Sequence, residues 1–267
     1  MSVRTFTRAV ATPPVVEVRN PAGSVTVAAV EGSTGLSVRV EALDEAAEEL
    51  LDRVVVEASE EQPVRLRVVV PEHRLFRTPS FAVRVDTPAG AAVLATVASA
   101  RCELRGALGR VVLTSASGDC SVESCAEAQV RSASGDVALG AVAGPATVHA
   151  ASGDVRLGSA AGAVEVRTAS GDVEVGAAGG DLSLRTTSGD VEVGSLAAGS
   201  TRVTSVSGDV TLGVRPGLRV WLDLASVSGR LESELADEAA GKGAAELTVA
   251  ARSVSGDVRI RRTAPVG

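Results

Sequence analysis

One acidic residue returns on a nearly fixed schedule through the second half of this chain, and a recurring carboxylate is the first candidate for chemistry. Ser-Gly-Asp opens at Ser117, Ser134, Ser152, Ser170, Ser188 and Ser207, drifts to Ser-Gly-Arg at Ser228 and returns at Ser255, in steps of 17, 18, 18, 18, 19, 21 and 27 residues. Stacked rung on rung, Asp119, Asp136, Asp154, Asp172, Asp190 and Asp209 would form a ladder able to hold calcium, as Asp-bearing nine-residue repeats do in calcium β-rolls. Ligand count argues against it. One Asp per coil recurs where the ion wants about six to eight oxygens, and the Gly-Gly-x-Gly-x-Asp signature is missing. Turn chemistry accounts for all three residue types. The glycines Gly118, Gly135, Gly153, Gly171, Gly189, Gly208 and Gly256 suit a positive backbone dihedral at a corner. Ser and Asp, as far as Asp257, suit side-chain bonds to neighbouring backbone amides.

A second recurrence is basic. Arg131, His149, Arg167 and Arg185 fall at equivalent outward positions, a stripe that could hold an acidic partner or polymer. The same residues also read as a solvated face, charged to discourage sheet-to-sheet association. His73 and His149 are isolated, and no His, Cys or paired-carboxylate constellation recurs in a catalytic arrangement. Cys102 and Cys120 lie 18 residues apart, with Cys120 at an inward position held by valine elsewhere. As vertical neighbours they could reach the Cα separation of roughly 4.4–6.8 Å that a disulfide needs, although two buried thiols filling valine-sized space fit a reducing compartment better. Cys125 is expected in a turn.

These residues need elements to hold them, and the period supplies the elements. The unit Ser170 to Thr187 contains two alternating runs, Val173-Glu174-Val175 and Leu182 to Thr186, each bounded by Gly-containing turns. Two strands and two turns in 18 residues make one flattened coil, and successive coils would pair at the usual ~4.8 Å spacing. Val137, Val155, Val173, Val191, Val210 and Val258 then form one inward column, with Leu139, Leu157, Val175, Val193, Leu212 and Ile260 beside it. Val130, Val148, Val166, Leu184, Val203 and Leu224 line the second strand, followed two residues on by a small, mostly hydroxyl-bearing column from Ser132 to Ser226. An antiparallel meander built on Ser-Gly hairpins is the alternative. The fold expected is all-β: a right-handed parallel β-solenoid with about 18 residues and two short strands per coil.

Residues 1–85 read as a β-rich N-terminal capping region, residues 86–262 as the solenoid and residues 263–267 as a frayed tail, together one continuous domain. Period-two patterns predict strands at Val15 to Arg19, Ser24 to Val30, Leu36 to Ala42, Val54 to Ala58, Val64 to Val70 and Phe81 to Asp86. Asp44 to Leu51 is the one short helix, opened by an acidic N-cap. Phe6, Phe76 and Phe81 all sit in this front region, and residues 235–243 read as a loop inserted late in the array. With 45% hydrophobic and 1% aromatic residues, the core must be built from Val, Ala and Leu. A net charge of −7 argues against a nucleic-acid binder. No apolar run approaches the roughly 18 residues of a membrane span, no signal-peptide core is present, and a cytoplasmic location is expected.

The repeated Ser-Gly-Asp-Val, with Asn-Pro-Ala-Gly-Ser-Val-Thr-Val at Asn20 to Val27, resembles the bacterial DUF4097 family, also called toastrack or putative-adhesin repeats. That resemblance implies a solenoid-like fold and, in some relatives, association with cell-envelope stress systems. It brings no catalytic residues and no cofactor. The function expected is a non-enzymatic structural or interaction scaffold with a protein partner or with itself. A calcium-dependent binding module using the Asp ladder and a polysaccharide-active β-helix enzyme are the alternatives.

Overall fold

The computed structural model describes residues 2–71, 78–235 and 246–263. They form an all-β parallel solenoid with a β-rich N-terminal region that holds one short helix. Two compact units divide the chain, Met1–Ala138 and Leu139–Gly267.

In the first unit the winding begins where the sequence suggested a cap. Val15–Asn20 lies parallel between Arg65–Val69 and Ala92–Val97, and Gly23–Val30 lies parallel between Phe81–Pro88 and Arg101–Ser115. Arg65–Val69 and Phe81–Pro88 therefore make the first rung in space, and the earlier segment 15–30 is threaded in as the second. Antiparallel strands cover the open edge of that first rung: Gly35–Ala42 pairs with Phe81–Pro88, and Val55–Ala58 pairs with Arg65–Val69. Covering matters because an unpaired edge invites association. A strand not expected from sequence, Val3–Ala9, pairs antiparallel with Gly35–Ala42. Among the six expected strands, each is present within two residues of its ends. The helix Glu45–Leu50 opens on Asp44, whose Oδ1 accepts from the Ala47 amide at 2.7 Å and whose Oδ2 accepts from the Ser80 amide at 3.0 Å.

In the second unit the registers follow the period. Val155–Ala160, Val173–Ala178 and Val191–Leu196 stack in parallel, with Val155, Val173 and Val191 directly in line. The second wall stacks Ala146–Ala150, Val164–Arg167, Leu182–Ser188 and Gly199–Ser207, aligning Val148, Val166, Leu184 and Val203. All of these aligned residues are buried. Each winding thus contributes one apolar side chain per column to a narrow dry interior, and burial of these small units is the main stabilising term.

The end of the array departs from chain order. Leu247–Ser255 and Val258–Arg262 insert between Gly199–Ser207 with Val210–Val214 on one side and Val220–Ser228 with Leu231–Ser233 on the other. The rung that follows Val203 is therefore built around Ala251, and Leu224 belongs to the last rung. The repeat spacing had suggested a simple succession. Its lengthened last step of 27 residues instead marks a chain that climbs one rung beyond its final strand and comes back. Most of the loop expected at 235–243, together with Phe76, His73 and the last residues of the tail, lies outside the described residues.

Leu184 is 1% exposed at the centre of its column while Arg185 beside it faces water. Leu184→Ala is expected to lower the unfolding free energy by about 2–5 kcal/mol, and Arg185→Ala to change it by less than about 0.5 kcal/mol, in urea titrations.

Candidate functional site

The recurring carboxylates lie at a corner and are bound there by backbone. In the second unit the amide of Asp172 donates to Asp154 Oδ1 at 3.1 Å, that of Asp190 to Asp172 Oδ1 at 2.9 Å, and that of Asp209 to Asp190 Oδ1 at 2.8 Å. The series continues in spatial order: Asp257 donates to Asp209 at 2.9 Å, and Arg230 donates to Asp257 at 2.9 Å. In the first unit Asp136 donates to Asp119 in the same way, at 3.3 Å. Corner Asp carbonyls are used too. Val155, Val173 and Val191 donate to the carbonyls of Asp172, Asp190 and Asp209. The side chain thus replaces a strand partner at the bend, where amides would otherwise lack one. Several outer oxygens meet arginines, as Asp154 meets Arg156 at 3.0 Å and Asp257 meets Arg259 at 3.0 Å.

The glycine of the triplet has two explanations, and only one was expected. Gly171 and Gly189 have φ of 110° and 114°, the left-handed side that glycine tolerates, and the same holds at Gly153, Gly208 and Gly256. Gly118 and Gly135 do not share that conformation. There the constraint is space, since a Cβ on Gly118 would overlap the Ala100 carbonyl and one on Gly135 the Gly118 carbonyl. The serine expectation is also corrected. Ser117 donates to a carbonyl, that of Ala98, and accepts from no amide among the described residues. The hydroxyls that staple the corner come two residues before the triplet: Ser115 to Gly118 O at 2.7 Å, Ser132 to Gly135 O at 2.9 Å, Thr168 to Ser170 O at 2.9 Å and Thr186 to Ser188 O at 3.0 Å.

Cys102 and Cys120 are register partners on adjacent parallel strands, both buried and both free thiols. A hydrogen bond to Cys120, with burial, holds the Cys102 thiol well above its ordinary value. Cys125 is not in a turn. It is buried inside the strand Cys120–Ser132, and burial pushes its thiol up to about 11. The hydrogen bond from Cys102 lowers the Cys120 thiol, but all three are buried, which is not the exposed setting of a nucleophile.

The basic stripe is assembled in part. His149, Arg167 and Arg185 stand in register on adjacent strands of the second unit. Arg131 is exposed in the first unit, in register with Thr114. Arg167 is held by Glu165 at 2.6 Å, and the buried Nε2 of His149 has no partner among the described residues. The line continues through Thr204 to Arg252, which meets Asp223 at 3.5 Å. One column over on the same outward face stand Glu165, Ser183 and Arg202 in register. Among the described residues no three His, Cys, Asp or Glu side chains gather as a metal set, and no helix is long and apolar enough to cross a membrane.

A family model described as Toastrack DUF4097 matches residues 65–261. The chain belongs to that family. The match opens at Arg65, the residue that begins the first rung in space. Solved structures similar to this toastrack chain include a "putative adhesin" from Parabacteroides distasonis ATCC 8503, 13% identical over 98% of this chain and 97% of the other with a TM-score of 0.48. Another "putative adhesin", from Parabacteroides merdae ATCC 43184, is 12% identical over 96% and 95%, TM-score 0.43. A "putative lipid binding protein" from Parabacteroides distasonis ATCC 8503 is 11% identical over 98% and 97%, TM-score 0.40. No curated protein matches.

Two measurements test the corner of this toastrack chain. Asp172→Ala removes the acceptor of the Asp190 amide and is expected to cost about 0.5–2 kcal/mol, the range of a lost helix N-cap, with Asp172→Asn milder because its amide oxygen still accepts. The Arg230 amide, then the Arg230 and Arg259 charges, hold the Asp257 carboxyl below its ordinary value. A depressed folded value stabilises above the unfolded value and is lost as pH falls through the folded one. Stability should therefore decline below about pH 4, and Asp257→Asn should flatten part of that decline in urea titrations across the acid range.

Proposed function

We propose that this toastrack protein is a non-catalytic scaffold that associates with a second copy of itself through its last rung. The observation that carries the reading is the state of that rung. Val220–Ser228 and Leu231–Ser233 pair on one side only among the described residues. Leu222 and Leu224, inward residues by register, are only half-buried, and Leu231 is exposed. The edge thus offers both unpaired backbone groups and the open end of an apolar column, and a two-fold pairing would bury the same patch on both copies. Its charges do not oppose this. Asp223 is matched by Arg252 at 3.5 Å and Glu232 by Arg259 at 3.3 Å, so like copies meet without a net local charge of one sign.

The calcium reading ranks lower because one carboxylate oxygen of Asp119, Asp154, Asp172, Asp190 and Asp209 is already engaged by a backbone amide, and a cation site would have to break those bonds. The polysaccharide-cleaving reading ranks lower because the recurring carboxylates serve the corner and the described thiols are buried. Sedimentation velocity on the full chain should show a concentration-dependent dimer, and Leu224→Lys should return it to monomer by placing a charge on the edge. A wild-type chain that stays monomeric at every soluble concentration overturns self-association. Added calcium is expected to leave the melting temperature unchanged; a rise would restore the calcium reading.

A further inference from the structure

On the outward face of the second unit, short residues stand between tall ones and leave two adjoining hollows of ≈ 320 and ≈ 250 Å³. Ser200 and Arg202 line both. The hollow nearer the last rung is walled by Trp221 and Arg252, with Thr248 and Ala250 as its low floor. Register explains the shape, because Trp221 stands beside Thr248 and Thr248 beside Ser200 on successive strands. Trp221 is the only tryptophan of the chain and is 56% exposed, an unusual place for a large apolar ring with no structural need to be wet.

The charges around these hollows are uneven. Glu165 is engaged by Arg167, Asp223 by Arg252, and Asp181 Oδ1 accepts from the Ser200 amide at 2.8 Å. Arg202, which lines both hollows, and Arg185, one strand over from Thr204 at the rim of the second, are exposed and have no carboxylate partner among the described residues. Two uncommitted guanidinium groups on a chain of net charge −7 mark one place where an anion is welcome.

We propose that this face is a binding groove for an acidic carbohydrate chain, in which Arg202 and Arg185 take carboxylate or sulfate groups and Trp221 stacks on a sugar ring. The inference rests on the non-catalytic reading above. A guanidinium fork matches a carboxylate in two parallel hydrogen bonds. An exposed indole offers a rigid flat face to the apolar side of a pyranose. The hydroxyls of Ser183, Ser200 and Thr248 can donate to or accept from sugar hydroxyls. An acidic peptide would satisfy the arginines but would leave the indole and the hydroxyl floor without a matching role.

The test titrates the full chain with oligogalacturonate, a chain of uronic acids, while following tryptophan emission, which reports from Trp221 alone. A saturable change is expected, weakening as salt is raised. Arg202→Ala and Arg185→Ala should each weaken binding about tenfold or more, with Trp221→Ala read by calorimetry and also weakened. Neutral dextran and polyglutamate should bind far less. Equal affinity for polyglutamate, unchanged affinity in Arg202→Ala shown folded by its circular dichroism, or no saturable signal overturns the groove. Cleavage of the bound oligomer would instead overturn the non-catalytic reading and leave the groove standing.

Discussion

The rest of this fold depends on one constraint: a strand in a parallel stack can satisfy its backbone only with the rungs above and below it. Where the chain runs straight, the ladder does this unaided. Where it bends, amides lose their strand partners, and a bend buried or half-buried without replacements costs free energy. The corner aspartate is the replacement, lending its Oδ1 to the next rung's amide and its carbonyl to the neighbouring valine. The hydroxyl of Thr168 or Thr186 closes the inner side of the same bend. A motif that looks like a site for chemistry is thus the price of turning a corner in a stack whose every winding sees only its neighbours.

Nearest-neighbour bonding also explains why order in space need not follow order in the chain. A rung is defined by the column positions it fills, so any segment with the right residues fits anywhere in the stack. In the first unit the segment 15–30 slips between the strands Arg65–Val69 and Phe81–Pro88 and those at 92–105, and in the second the segment 247–262 slips between 199–214 and 220–233. In each unit a strand pair close to a chain end is held from both sides. The last rung in space is then an internal stretch, Val220 to Ser233, whose half-buried leucines show what an inward column looks like when no rung follows.

This division marks what the sequence could reveal. Columns of Val173, Val191 and Leu184 were legible because a strict period puts like residues at like positions, and the thiol register of Cys102 and Cys120 followed from the same spacing. The exchange of the last rungs was hidden, since the alignment of Ser228 and Ser255 is the same whichever lies inside. The glycines Gly158, Gly176 and Gly194 were not singled out, the run ending at Val175 being read simply as bounded by a Gly-containing turn. They lie within strands and stack so closely that a Cβ on Gly194 would sit 2.6 Å from the Gly176 carbonyl oxygen. Cys125 was missed because its strand runs on past the point where a repeat normally bends. The basic stripe was half visible: His149, Arg167 and Arg185 recur, whereas Arg202, Arg252 and Trp221 join their face only through the three-dimensional register.

Functional variation must then be sought where the stack makes no demand. Inward positions are confined to small apolar residues by the width of the interior, and corner positions are confined by backbone bonding and by glycine's lack of a side chain. Outward positions carry neither restriction, so a residue there that lacks a partner has not been placed by folding. Arg185 and Arg202 meet that description among the described residues, and Trp221 sits exposed beside the hollow that Arg202 borders. Because adjacent outward residues on successive rungs repeat at one strand spacing, even a few such choices make a continuous strip suited to an extended ligand. A repetitive scaffold in this way turns isolated surface residues into a surface with direction, without altering the columns that hold it together.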